Sequence, residues 1–212
     1  MKLYNYFRSS AAYRVRIALT LKGLAFEYIS IHLTKGEQRN EAYLALNAQA
    51  LVPTLVDDAV TLPQSLAIIE YLDERYPQPP LLPATAPARA RVRAIALAIA
   101  CDIHPLNNLR VLQYLTHTLA LSEDAKNAWY RHWIDTGLSA LEAQLATDAS
   151  TGAYCHGDAP SLADICLVPQ LANARRYGIA LEAYPTLLRI DANCRQLTAF
   201  AAAAPEVQPD AA

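Results

Sequence analysis

The stretch Phe7-Arg8-Ser9-Ser10-Ala11-Ala12-Tyr13-Arg14-Val15-Arg16-Ile17-Ala18-Leu19 decides how the N-terminal part of the chain is read. Residues 2–6, just before it, alternate apolar and polar side chains, the period of a strand. Ser9 and Ser10 then offer a helix N-cap ahead of the periodic apolar positions Val15, Ala18 and Leu19. The order is strand, turn, helix, with the helix's free amides and positive dipole end facing whatever sits on the turn. A thiolate or carboxylate is stabilised in such a place. A redox protein of this shape carries Cys-x-x-Cys in the turn. Here the turn carries hydroxyls, so a thiolate has to arrive on a ligand.

Working outward, the first helix should run to about Lys22 and end at Gly23. Residues 26–33, 51–56 and 60–62 are predicted strands, with a tight turn at Asp57-Asp58-Ala59. Residues 65–76 carry apolar side chains at 66, 68, 69 and 72, a helical period closed by Pro77. This is the layout of an α/β thioredoxin-like domain over residues 1–79. Residues 77–83, Pro-Gln-Pro-Pro-Leu-Leu-Pro, cannot continue a helix and serve as a linker. Residues 86–212 are predicted to be all-helical. Val92, Ile95, Ile99, Ile103 and Leu106 mark one face of a long helix, and Trp129, Trp133, Ile134, Leu138, Leu141 and Leu145 mark another. Ser161-Leu162-Ala163-Asp164 is a capping box, which makes Asp164 a folding signal and not a catalytic acid. From Pro205 on, a loosely held tail is expected.

Composition narrows the function. At 212 residues, 53% apolar and 18% charged, the chain has ample material for a packed core. A net charge of −2 without a long basic run argues against nucleic acid as a partner. No apolar stretch is long enough for a bilayer, and the N-terminus lacks a signal-peptide core, so a cytoplasmic protein is expected. Cys101, Cys155, Cys166 and Cys194 lack metal-ligand spacing. Neither a metal nor a disulfide is expected, and Cys101 and Cys166 are read as small core residues.

Ser-Ser-x-x-x-Arg-Val-Arg-Ile-Ala-Leu at 9–19 resembles the signature of zeta-class glutathione transferases. The resemblance continues at Leu46-Asn47-Ala48-Gln49-Ala50-Leu51-Val52-Pro53-Thr54-Leu55 and Gln64-Ser65-Leu66-Ala67-Ile68-Ile69-Glu70-Tyr71-Leu72. It extends to Cys101-Asp102-Ile103-His104-Pro105-Leu106-Asn107-Asn108 and Ser161-Leu162-Ala163-Asp164. Many members carry cysteine after the two serines; this chain has Ala11, which leaves the serines. The resemblance implies the glutathione transferase fold, glutathione as cofactor and a homodimer. It implies a cis Val52–Pro53 bond, with Val52 pairing the cysteinyl backbone of glutathione; spacing alone is equally consistent with an ordinary turn proline. Gln64 and Ser65 open a helix whose amides would hold the γ-glutamyl carboxylate, and Ser65 also serves as an N-cap. Gln38, in a polar loop, would meet the glycyl end.

In the helical half, His104 and Asn108 are four apart and expected on one helix face near a kink at Pro105, as a wall of the ligand site. An ideal helix puts Arg110 about 200° round from Asn108. Arg8, Arg110 and Arg176 are candidates to hold a small dicarboxylate substrate, since a guanidinium binds carboxylates bidentately. Solvated charge is the competing reading for Arg8, and a charged helix end for Arg175-Arg176.

The activity implied is glutathione-dependent cis–trans isomerisation of maleylacetoacetate to fumarylacetoacetate in aromatic amino-acid breakdown. Ser9, or alternatively Ser10, would stabilise the thiolate, and Arg8 the developing charge. Isomerisation of maleylpyruvate in gentisate breakdown is close behind. Displacement of halide from small α-halo acids is a further alternative. A binding module of transferase fold is disfavoured, because both the serines and Gln64-Ser65 are kept.

Overall fold

A computed structural model describes residues 1–211. The chain divides into two compact units, residues 1–81 with 195–212, and residues 82–194.

In the first unit, β1 (Lys2–Asn5), β2 (Glu27–Ser30), β3 (Thr54–Asp57) and β4 (Val60–Pro63) form one sheet in the order β2-β1-β3-β4. The β1–β2 pair is parallel; β1–β3 and β3–β4 are antiparallel. Asp58 takes a φ of 52° in the tight β3–β4 connection, a conformation aspartate tolerates better than most residues. The second strand is shorter than residues 26–33 because the chain passes into 3-10 turns at Leu33–Lys35 and Glu37–Arg39, followed by a helical turn, α2 (Glu41–Leu44). α1 (Ser10–Leu21) and α3 (Ser65–Arg75) pack on each other, burying Val15, Ala18 and Leu19 with Ile68, Ile69 and Leu72.

α1 is buried on all sides from Ser10 to Leu19, more than an amphipathic stripe requires. The cause lies at the other end of the chain. α9 (Thr198–Ala202) packs on α1; Tyr13 OH donates to Phe200 O at 3.2 Å and Arg16 Nε to Ala203 O at 3.0 Å. The helical half therefore does not own its last residues, and the tail expected to be loose is tied down. Asp210 accepts from Phe7 N–H at 3.2 Å and from the hydroxyls of Ser30 (2.8 Å) and Tyr28. The proline-rich linker is also fastened at its start. Lys22 Nζ, fully buried, donates to Asp73, Tyr76 O and Pro79 O, and Leu81 N–H to Asp73.

The second unit contains α4 (Ala86–Leu97), α5 (Leu109–Gln113), α6 (Glu123–Thr147), α7 (Leu162–Arg176) and most of α8 (Pro185–Arg195). α6 buries Tyr130, Ile134, Leu138, Leu141 and Leu145; Trp129 and Trp133 flank that stripe half-covered. The capping box is present: the Asp164 carboxylate accepts from Ser161 N–H and Oγ and from Cys155 N–H, each at 2.8 Å. Cys166 is buried, but Cys101 is exposed, because it lies two residues from both Ile99 and Ile103, on the side of the helix away from that buried stripe. No helix among the described residues is long and apolar enough to cross a membrane.

Candidate active site

Tyr4 pairs with Thr54, and Thr54 with Pro63. The segments just beyond those pairs leave the sheet side by side: residues 6–9 after β1, Val52-Pro53 before β3, and Gln64-Ser65 after β4. One edge of the first unit thus gathers three of the predicted segments.

Ser9 is the N-cap of α1, in extended conformation, and its Oγ accepts from Ala12 N–H at 3.2 Å. That bond uses a lone pair and leaves the hydroxyl proton to donate outward. Ser9 is half-buried, whereas Ser10, the first residue of the helix, is buried. Arg8 is exposed, with its guanidinium 4.9 Å from the Phe7 ring centroid.

The Val52–Pro53 peptide is cis. The loop leading to it is fixed from inside, since Tyr43 OH and Asn47 Nδ2 both donate to Leu51 O, at 2.6 and 2.8 Å. Both also meet Thr54 Oγ1, at 2.9 and 3.1 Å. Burial pushes the Tyr43 phenol up, so it stays a donor at neutral pH. Val52 packs with Tyr6 and Tyr43, and Phe7 lies against the same cluster, so loop and turn share an apolar backing.

Gln64 holds a φ of 71°, unusual for a side-chain-bearing residue, and caps α3. Its Nε2 donates to Gln49 Oε1 at 2.8 Å, and Gln49 N–H donates to Asn47 Oδ1. Ser65 Oγ accepts from Arg14 Nη1 at 3.3 Å, which joins the starts of α1 and α3. Gln38 does not sit in a solvated loop. It is buried, and its Oε1 accepts no hydrogen bond among the described residues.

The second unit departs from expectation. His104 and Asn108 do not share a helix face. After α4 the backbone widens to π-helix over Ala98–Ile103, tightens to 3-10 over His104–Asn107, and is extended at Asn108. Pro105 supplies no N–H to continue the ladder. Asn108 Oδ1 instead caps α5, accepting from Arg110 N–H at 3.1 Å, and Arg110 is exposed in that helix's first turn. At the end of α7, Arg175 pairs with Asp191 at 2.6 Å. Arg176 lies 5.2 Å over the Tyr177 ring, which stacks on Tyr130 at 3.5 Å. Burial raises the Tyr130 phenol, and Arg176 partly opposes this.

Sequence reasoning assigned no role to Arg14, Arg16, Tyr43, Asn47, Gln49 or Asp210. The signal for the first two was available: two arginines inside an otherwise apolar helical run, each only 1% exposed. Buried guanidinium groups need several acceptors, so they mark places where backbone carbonyls converge. Among the described residues, no group of three or more histidine, cysteine or acidic side chains could hold a metal ion.

Residues 3–80 match the family model "Glutathione S-transferase, N-terminal domain", and residues 123–203 match "Glutathione S-transferase, C-terminal domain". A probable maleylacetoacetate isomerase of Vibrio cholerae is 54% identical over 99% of this chain and 97% of its own. Among solved structures, a bacterial zeta-class maleylpyruvate isomerase superposes with a TM-score of 0.98 at 52% identity, covering both chains fully. The maleylacetoacetate isomerase of Methylobacterium extorquens, with bound malonate and glutathione, also gives 0.98, at 43% identity and full coverage of both.

Proposed function

The chain belongs to the glutathione S-transferase family, zeta class, and on that premise we propose that it is a glutathione-dependent isomerase of maleylacetoacetate. The observation that carries the reading is the sheet edge where a half-buried Ser9 hydroxyl, the cis Val52–Pro53 bond and the Gln64-Ser65 helix start lie side by side. That edge fits glutathione by its own chemistry: an outward hydroxyl donor and a helix N-terminus for a carboxylate.

Bound glutathione supplies a thiolate that adds reversibly to the cis double bond, allows rotation, and leaves unconsumed. In this reading Ser9 donates to the sulfur and favours thiolate over thiol, with the α1 N-terminus adding its partial positive charge. A serine hydroxyl does not act as a base here; it orients and stabilises. Ser10 contributes from the buried start of the helix. The Val52 backbone pairs with the cysteinyl backbone, the Gln64-Ser65 amides hold the γ-glutamyl carboxylate, and Gln38 meets the glycyl end. Arg8, Arg110 and Arg176 are assigned to the substrate's carboxylates, and His104 and Asn108 to ligand binding. What supports these last roles is the family resemblance and the fit of guanidinium to carboxylate.

Maleylpyruvate is the second substrate considered, because relatives of nearly equal identity carry either name. We assign the enzyme to the cytoplasm as a homodimer in tyrosine and phenylalanine breakdown, by family alone. The test is an ultraviolet assay with maleylacetoacetate and with maleylpyruvate, each with and without glutathione. Conversion that requires glutathione but does not consume it is expected, and the faster substrate names the enzyme. Glutathione binding with no conversion of either acid would sink the reading.

A further inference from the structure

We propose that Asp210 is a positioning residue for Ser9: the end of the chain, together with Arg16, sets the turn that carries the active hydroxyl. The inference rests on the assignment of Ser9 to the glutathione sulfur.

The turn between β1 and α1 is held at Tyr6 O, at both polar backbone groups of Phe7 and at both of Ser9. Ser9 N–H donates to Tyr6 O at 2.9 Å. Tyr6 O also accepts from Arg16 Nη1 at 3.4 Å, and Phe7 O from Arg16 Nη2 at 3.0 Å. Arg16 Nη1 reaches Asn5 Oδ1 as well, and Nε reaches Ala203 O, both at 3.0 Å. The one group of Phe7 that Arg16 cannot serve is its N–H, which donates to Asp210 Oδ2. A guanidinium below and a carboxylate beyond therefore grip the two polar groups of the same residue, two positions before Ser9. Asp210 is itself fixed by the hydroxyls of Ser30 and Tyr28. The charged and titratable groups around Arg16 are Tyr13, Tyr28, Asp210 and Glu206; burial lowers the guanidinium to about 10, so it stays charged at neutral pH.

Such a grip matters because a hydroxyl displaced from a sulfur by about 1 Å, or turned away from it, loses most of its hydrogen bond. Nothing here touches substrate. Loss of Asp210 should therefore appear in thiolate formation and kcat, while KM for the maleyl acid holds.

The test uses full-length D210A, Y28F and S9A; alanine removes the oxygen that accepts from Phe7 N–H, which asparagine would keep. The ultraviolet absorbance of enzyme-bound glutathione thiolate is followed against pH, with kcat, KM and thermal midpoint measured in parallel. In D210A we expect thiolate to form at higher pH and kcat to fall about tenfold, with KM for the acid within twofold. Y28F, which removes one donor from Asp210, should shift both readouts the same way by less. Wild-type thiolate formation in D210A, with S9A impaired, overturns the proposal while leaving the Ser9 assignment standing. An unaffected S9A removes that assignment, and the proposal falls with it. If D210A does not fold, Y28F decides: an unchanged thiolate profile overturns the proposal.

Discussion

At Gln64 the side chain is incidental to the geometry. Its φ of 71° turns the chain from β4 into α3 so that the Ser65 end faces the same way as the Ser9 turn. A side-chain-bearing residue in that region costs about 1–3 kcal/mol and persists only where its surroundings enforce it. The proposed glutathione site uses only the backbone amides at this place, and glycine supplies the same backbone without the strain. Gln64→Gly should therefore keep glutathione affinity within about threefold, while Gln64→Val, β-branched and resisting positive φ, should weaken it more than about tenfold. Titration calorimetry on the two variants checks this. Sequence showed Gln64 as a helix start but not its conformation, because glutamine carries no turn signature. Arg16 stood out as an arginine within an apolar helical run, but its partners did not. Its acceptors, Asn5, Tyr6, Phe7 and Ala203, come from distant parts of the sequence, and no local pattern announces them.

Among the elements, the strands and long helices were legible because period-two and period-3.6 patterns survive wherever a face is buried. The helix expected over 65–76 became Ser65–Arg75, a difference of the size seen at any element end, while expected strand 51–56 became Thr54–Asp57 and starts three residues late, after the cis Val52–Pro53 bond. The segment 98–108 was not legible, since apolar spacing does not distinguish α-, π- and 3-10 winding. Its support comes from α6, where a Cβ added at Gly137 would stand 2.3 Å from Ile103 Cδ1 and Cγ1. Gly137→Ala should cost about 1–3 kcal/mol by forcing Ile103 off its seat, and Ile103→Ala in the same chain should recover part of that loss. A double-mutant cycle by urea unfolding reads the coupling. Elsewhere in the unit, Arg91 ties α4 to residues 148–156 through Asp148 (2.7 Å), Thr151 (2.9 Å) and Cys155 O (2.7 Å). That guanidinium holds the Asp148 carboxyl down to about 2. A depressed carboxyl contributes stability that is present above its unfolded pKa, near 4, and is lost as pH falls through the folded value. The gap in urea midpoint between wild type and Asp148→Asn should accordingly be full above about pH 4 and close toward pH 2.

For the molecule as a whole, the two-part plan was legible and the path of the chain was not. Composition and the proline run marked a division near residue 80, but the first unit also takes back residues 195–212. A fragment of residues 1–81 would lose α9 from the face of α1, with the Phe200 and Ala203 carbonyls that Tyr13 and Arg16 use, and would expose the apolar side chains that α9 covers. Losing those hydrogen bonds and that burial outweighs the margin of so small a unit, so this fragment should be unfolded by circular dichroism. A permuted chain joining residues 195–212 through a flexible linker to residues 1–81 restores those acceptors and should fold. The discontinuity also bears on how the molecule is made. Domains commonly fold in the order in which they leave the ribosome. Here Ser9 emerges well before Ala203 and Asp210, which fix its turn. The continuous second unit is wholly synthesised before the first has all its parts. Until residues 195–212 join it, the first unit therefore carries Ser9 on a turn without its Arg16–Ala203 and Phe7–Asp210 bonds.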